Sequence, residues 1–373
     1  MWRRFSSQAF LQGEGVSANP RFHDEYTVGW ICALPIELDA AKAMLDDIHP
    51  SLPIPAVDEN SYTLGSIGGH NVAIACLPKQ TIGTTAAAKV VTQMQHTFAI
   101  KIGLLVGVGG GIPSRLKLGD VVVGTEWVQW DFGRVVQGGF QQTSKRNTPP
   151  NNLLTAISKL RALRRMDRAQ GGGKYFKFAI NTFFKFHPSL RGSTLLTSTA
   201  RIRPACVRYG LIASGNRVIK DAECRDEIDR SLGGDVLCIE MEAAGLLNFP
   251  YIPIRGICDY ADSQKNDDWQ QYAAAAAAGY ARELLESIHP GGQSIESFIR
   301  RLRMSNPMHG ARVVVLGAVM VVLTFHLLLF FMTLVLFFHR RQILFTERYN
   351  MYCPLSISPL HGDDHERGWP IIT

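Results

Sequence analysis

No two cysteines in the sequence stand at CxxC spacing: the seven (Cys32, Cys76, Cys206, Cys224, Cys238, Cys258 and Cys353) are dispersed and odd in number. That argues against a disulfide framework and a thiolate metal site, and points to free thiols in a reducing compartment. No ligand cluster for a metal is found, so none is expected. A dinucleotide fingerprint is also missing. Gly107-Val108-Gly109-Gly110-Gly111 is followed by Ile112, which breaks the G-x-G-x-x-G spacing, and no Gly-Lys-Ser/Thr completes a Walker A loop. Met1–Asn19 lacks the apolar core of a signal peptide. There is no internal repeat. Charge is sparse, at 19% of residues against 46% hydrophobic, which describes a globular chain rather than a disordered one. The net charge of +7 comes from scattered residues, several of them flanking an apolar C-terminal segment (Arg300, Arg301, Arg303, Arg312, Arg340, Arg341). It therefore reads as membrane flanking, and no nucleic-acid partner is expected.

What is present is a succession of apolar strands and helices. Tyr26 to Ala33 is β-rich, and Pro35 opens a helix over Glu37–Leu45. Ser61–Ile67 and His70–Cys76 form a hairpin through Gly68-Gly69. Ala86–Phe98 is an amphipathic helix. Ile102–Val108 is a wholly apolar strand running into the glycines, and Asp120–Glu126 is another strand. Val207–Ala213, Val236–Ile239 and Ile252–Cys258 read as buried strands, with helices at Glu223–Arg230, Glu242–Leu247 and Tyr272–Ile288. Wholly apolar strands alternating with helices predict an α/β fold whose central sheet is covered on both faces. The six alanines Ala273–Ala278 permit close helix packing.

The predicted organisation is a disordered leader at 1–23, one domain at 24–289 with an atypical Phe-rich, basic insertion at 170–204, a linker at 290–312 and a polar tail at 339–373. Between the last two, Val313 to Phe338 carries no charge and a single histidine, His326. As a helix at about 1.5 Å per residue it would span roughly 39 Å, against a hydrocarbon core of about 30 Å. A single-pass transmembrane helix at 313–338 is expected, with the large domain facing the cytosol.

Three acidic clusters fall at ends of predicted strands, where open α/β sheets bind ligands. Glu37 follows the first strand at the mouth of a helix, where it could equally serve as a helix-start carboxylate. Glu240 and Glu242 flank Met241 directly after a buried strand, and buried carboxylates are costly unless they bind something. Asp259 ends the run Arg255-Gly256-Ile257-Cys258-Asp259, while Asp262 reads as a turn cap. Gly109 and Gly110 let backbone N–H groups approach a ligand closely.

Together the Gly-Gly-Gly-Ile-Pro, Glu-Met-Glu-Ala-Ala-Gly and Arg-Gly-Ile-Cys-Asp-Tyr-Ala-Asp segments, with Glu37, resemble the nucleoside phosphorylase/nucleosidase superfamily, and fungal-type nucleoside-phosphorylase-domain proteins in particular. The resemblance covers roughly Tyr26 to Ile288 apart from 170–204. It implies a three-layer phosphorylase-like fold with a central mixed sheet, and cleavage of the N-glycosidic bond of a purine nucleoside or nucleotide. By the same resemblance Asp259 is the acid serving the purine N7, Glu37 orients the attacking water, and Glu242 holds the ribose hydroxyls. Met241 packs under the sugar, Gly109 and Gly110 line the pocket, and Glu240 and Arg217 belong to the substrate site. Asn216 stands where nucleosidases carry Asp. No cofactor is implied, with phosphate a co-substrate only in a phosphorylase, and a homo-oligomer is expected. A phosphorylase needs a cationic phosphate pocket, for which Lys79, Arg134 and Arg217 are candidates; Glu37 would repel phosphate, which favours hydrolysis. Phosphorolysis, or a non-catalytic nucleoside-binding sensor, are the alternatives.

Overall fold

The computed structural model describes residues 21–169, 205–247, 249–290 and 324–337. The insertion 170–204, the linker, the polar tail and residues 1–20 lie outside the described residues. The described residues fall into two compact units, one holding those through 290 and the other holding 324–337.

The first unit is built on a nine-stranded mixed sheet in the order β10-β9-β6-β11-β5-β1-β4-β3-β2. Its strands are β1 (Val28–Cys32), β2 (Asp47–Ile48), β3 (Tyr62–Ile67), β4 (His70–Cys76), β5 (Ile102–Gly111), β6 (Val121–Gln129), β9 (Val207–Ser214), β10 (Val236–Glu240) and β11 (Tyr251–Asp259). β5 runs parallel to β1 and β11, β6 runs antiparallel to β11, and β9 lies parallel to both β6 and β10. β10 also pairs antiparallel with β5 through Cys238↔Gly111 and Ile239↔Gly110. Strands β5, β11, β6, β9 and β10 thereby close on themselves. A separate hairpin, β7 (Gly133–Val136) with β8 (Gly139–Gln142), projects from this end.

Helices α1 (Pro35–Lys42), α3 (Asn151–Ala169) and α5 (Gln270–Ser287) share one apolar core with the sheet. Helix α2 (Thr84–Thr97) and a 3-10 turn at Ala243–Leu246 share another. Helix α4 (Ala222–Ser231) packs on a third, smaller cluster beside β9 and β10. The expected sheet covered on both faces is present. All nine residues of β11 are buried, its charged Arg255 and Asp259 included, as befits a central strand covered on both faces. The alanines of α5 are also wholly buried, and that helix lies against β11 and β5.

Several expectations need correction. The predicted helix Glu242–Leu247 is only the 3-10 turn. Its first amides, those of Glu242, Ala243 and Ala244, are taken by the Glu240 carboxylate and the Ser214 hydroxyl, and Pro250 follows closely. The glycines after Val108 are not a loop but the last rungs of β5, paired with β11 and β10. The leader is not loose up to residue 23: Arg21 donates to Asn71 Oδ1 at 2.5 Å and His23–Glu25 form a short 3-10 turn. Helix α3 and the β7–β8 hairpin were not anticipated.

In the second unit, residues 324–337 are helical. At about 1.5 Å per residue they span roughly 21 Å, short of a hydrocarbon core of about 30 Å. Residues 313–323 and 338 of the expected membrane span lie outside the described residues, and among the described residues no helix is long and apolar enough to cross a membrane. The helix does expose Phe325, Leu328, Phe330 and Phe331.

Candidate active site

A cleft of about 180 Å³ opens where β5, β10 and β11 end, lined by Glu37, Val108, Gly109, Gly110, Glu240, Met241 and Glu242, with Arg217 and Lys265 also on its wall. Its floor is organised by Arg255, the one charged residue in the interior of β11, with no exposed surface. A guanidinium there needs carboxylate partners, because an uncompensated buried charge is very costly. Arg255 Nη2 donates to Glu240 Oε2 in a very close ion pair, and to Glu242 Oε2 at 3.2 Å. Glu37 approaches from α1 without pairing with the guanidinium: a side chain on Gly107 would strike both Glu37 Oε1 and Arg255 Nη1, so only glycine lets the two come this near. Two carboxylates thus pair with one cation and a third stands nearby.

Each carboxylate is fixed by backbone donors. Glu37 Oε2 accepts from Ala33 N at 2.7 Å and Leu34 N at 3.0 Å, while Oε1 accepts from Val108 N at 2.8 Å. The helix-start role and the cleft position are therefore both occupied by the same side chain. Glu240 accepts from the amides of Glu242 and Ala243, and Glu242 Oε1 accepts from Gly83 N at 3.3 Å. Strand alternation did not put Glu240 and Glu242 on one face, since β10 ends at Glu240; their shared pairing to Arg255 brings them together.

Burial pushes the Glu37 carboxyl above its ordinary value, with Arg255 and the three amides pulling the other way. Burial likewise raises Glu242 to about 7; Arg255 opposes this, and the neighbouring Glu240 and Glu37 charges add to it.

Asp259, the last residue of β11, is 5% exposed. Its Oδ1 accepts from Ala261 N at 2.8 Å and its Oδ2 from Lys265 Nζ at 2.7 Å. A side chain on Gly110 would press on Asp259 Oδ1 at 2.8 Å, which explains the glycine next to the acid. Asp262 caps the following turn through Gln264 N, as expected. Arg217 is on the cleft wall with its guanidinium 4.4 Å over the Trp130 ring. Asn216 accepts from Thr84 N and Oγ1 at the start of α2, so it ties the cleft rim to that helix. Lys79 and Arg134 are not on the cleft wall; Arg134 is on the exposed β7 strand, donating to Gln141.

The sequence did not reveal the parts played by Arg255, Lys265 and Ser214. Arg255 carried a usable signal, a lone charge inside an otherwise apolar buried strand. Lys265 and Ser214 carried none. Among the described residues no group of His, Cys, Asp and Glu could hold a metal.

A mixed-sheet α/β core with an acidic, strand-end cleft defines the architectural class that contains nucleoside phosphorylases and nucleosidases. The chain belongs to the phosphorylase superfamily, whose family model matches residues 27–286. A nucleotide-binding leucine-rich repeat (NLR)-like protein of Hyaloscypha variabilis is 46% identical over 299 residues, covering 72% of this chain and 30% of that protein. This chain thus spans less than a third of that relative. A 5'-methylthioadenosine/S-adenosylhomocysteine nucleosidase of Mycobacterium bovis is 25% identical over 283 residues, covering 70% of this chain and 96% of that enzyme. The crystal structure of the corresponding nucleosidase of Neisseria meningitidis with methylthio-immucillin-A superposes with a TM-score of 0.50 at 25% identity, covering 70% of this chain and all of that one. The last two make the chain similar to enzymes that act on nucleosides.

Proposed function

We propose that this chain hydrolyses the N-glycosidic bond of a purine nucleoside or nucleotide at the Arg255-centred cleft. The observation that carries the reading is a cleft lined by Glu37, Glu240 and Glu242, the last two paired with one buried guanidinium, with Asp259 ending the same strand behind the wall and its partner Lys265 on it. Breaking a sugar–base bond leaves positive charge on the ribose and negative charge on the departing base. The carboxylates suit the first, and Asp259, to which Lys265 donates, suits the second.

In this reading Glu242 accepts hydrogen bonds from the ribose hydroxyls and Met241 packs against the sugar. Glu37 takes a proton from water as the water oxygen bonds to the anomeric carbon. The carbon–nitrogen bond breaks, and Asp259 passes to N7 of the purine a proton that the Lys265 ammonium supplies to it. A carboxylate raised by burial is a stronger base near neutral pH than an exposed one, which fits Glu37 to that step.

Hydrolysis rather than phosphorolysis is supported by the charges on the cleft wall. Of its cations, Lys265 is engaged by Asp259, which leaves Arg217 alone against Glu37, Glu240 and Glu242, whose charges repel phosphate. We further place the chain at a membrane through 313–338, as a homo-oligomer with its large domain in the cytosol.

The test is release of free base from adenosine, inosine, methylthioadenosine or ATP, with and without phosphate. Release independent of phosphate is expected; dependence on phosphate would make the chain a phosphorylase, and no release from any of them would leave a nucleoside-binding sensor. Asp259→Asn should lower the rate on the order of 10²–10⁴-fold with the melting transition retained. Release at the parent rate would remove Asp259 from the mechanism.

A further inference from the structure

At the opposite end of β9 from the cleft, a second cavity of about 430 Å³ is lined by Arg161, Arg164, Arg165, Arg208, Val207 and Tyr209. Ser214, which bonds into the candidate active site, lies five residues along the strand from Tyr209, roughly 17 Å at about 3.3 Å per residue. The two sites are separate. Arg161, Arg164 and Arg165 stand at i, i+3 and i+4 on α3, neighbouring positions on one helical face, where like charges destabilise a helix. Arg208 adds a fourth guanidinium from the sheet. We propose that this cavity is a binding site for a compact polyphosphorylated anion, either free or as the headgroup of a lipid.

Two of the guanidiniums are already held in place. Arg161 stacks over the Tyr209 ring at 4.6 Å, and Arg164 donates to Glu283 at 2.5 Å while lying over the Tyr280 ring at 5.5 Å. Glu283 is the one carboxylate paired with this cluster among the described residues, so the cluster retains a surplus of positive charge. Among the residues whose side chains are described, Arg161, Arg165 and Arg208 form no ion pair with a carboxylate. From residue 166 to 204 the sequence holds one acidic residue, Asp167, against Arg168, Lys174, Lys177, Lys185, Arg191, Arg201 and Arg203, so the surplus there is positive as well. Arginine forks grip phosphate oxygens in pairs, and orienting two of them beforehand lowers the ordering cost of binding. The cavity falls within the range of about 300–1,000 Å³ usual for small ligands, which favours a compact anion over an extended nucleic-acid backbone.

The experiment is a calorimetric titration of the full chain in detergent with tripolyphosphate. Binding should be at least tenfold weaker in Arg165→Gln/Arg208→Gln, neither of which breaks an ion pair with a described side chain, and should weaken as salt rises. Arg161→Lys keeps the charge but loses the fork, and should weaken binding several-fold. Arg217→Gln, on the other cleft, should leave the affinity unchanged. An unaltered affinity in the double variant, loss of binding in Arg217→Gln instead, binding no tighter than that of orthophosphate at equal ionic strength, or stronger competition by single-stranded DNA at matched phosphate would each overturn the proposal. Vesicles of phosphatidylcholine with and without a bisphosphorylated inositol lipid separate the sources. A gain in vesicle binding that tripolyphosphate abolishes assigns the lipid headgroup, and tripolyphosphate binding without that gain assigns a free anion.

Discussion

Arg255 is the residue on which the candidate site depends most. Removing a buried partner from an ion cluster costs more than the cluster contributes, because the charges left behind are unpaired. Arg255→Met should destabilise the folded chain by about 3–5 kcal/mol, read from urea unfolding. Lowering the pH should restore part of that loss as Glu37 and Glu242, both raised by burial, take up protons. Glu242 makes a second prediction. Its carboxyl is raised from 4.5 to about 7 in the folded chain. The folded state therefore binds a proton more tightly than the unfolded one, and the stability this provides is present below about 4.5 and lost as pH rises through about 7. Unfolding midpoints of the unliganded chain should fall across that window, and Glu242→Gln should flatten the fall. If ionised Glu242 receives the ribose hydroxyls, kcat/KM should climb towards a plateau with an apparent pKa near 7. A profile without that limb would remove Glu242 from sugar binding.

At the scale of elements, helix α4 offers an independent check. Asp221 Oδ1 accepts from Glu223 N at 2.8 Å and Cys224 N at 3.2 Å, closing the first turn. Asp221→Ala should lower stability by about 1 kcal/mol, seen as a shifted denaturation midpoint, with base release unchanged. The elements readable from the sequence are those whose pattern is set locally: the apolar strands β1, β4, β5 and β11, the amphipathic stripe of α2, and the alanine-rich α5. Helix α3 escaped notice because its apolar stripe is only Leu153, Ala156, Ile157 and Leu160 among many charges. The glycines of β5 read as a turn because nothing in the chain itself announces that β10 and β11 will come up beside them. The acidic residues of the site were legible by their placement at strand ends, but their gathering beside Arg255 depends on contacts between β10, β11 and α1 that no local pattern encodes.

For the whole molecule, the order of strands and helices foretold a covered sheet, and the membrane reading rests on the apolar run at 313–338. If that run anchors the chain, the full protein should remain with membranes after alkaline carbonate extraction, whereas a chain ending at residue 290 should appear in the supernatant. Recovery of the full protein in the supernatant would dismiss the anchor. The closure of β5, β11, β6, β9 and β10 has a consequence for assembly. A sheet that joins its own strands has no open margin at that end on which another copy could continue it. At the other end stands β2, only Asp47 and Ile48, too short a ledge to seat a foreign strand. As far as the described strands go, copies of this chain have to meet through their helices, loops and the β7–β8 hairpin, so assembly can proceed without merging their sheets into a fibre.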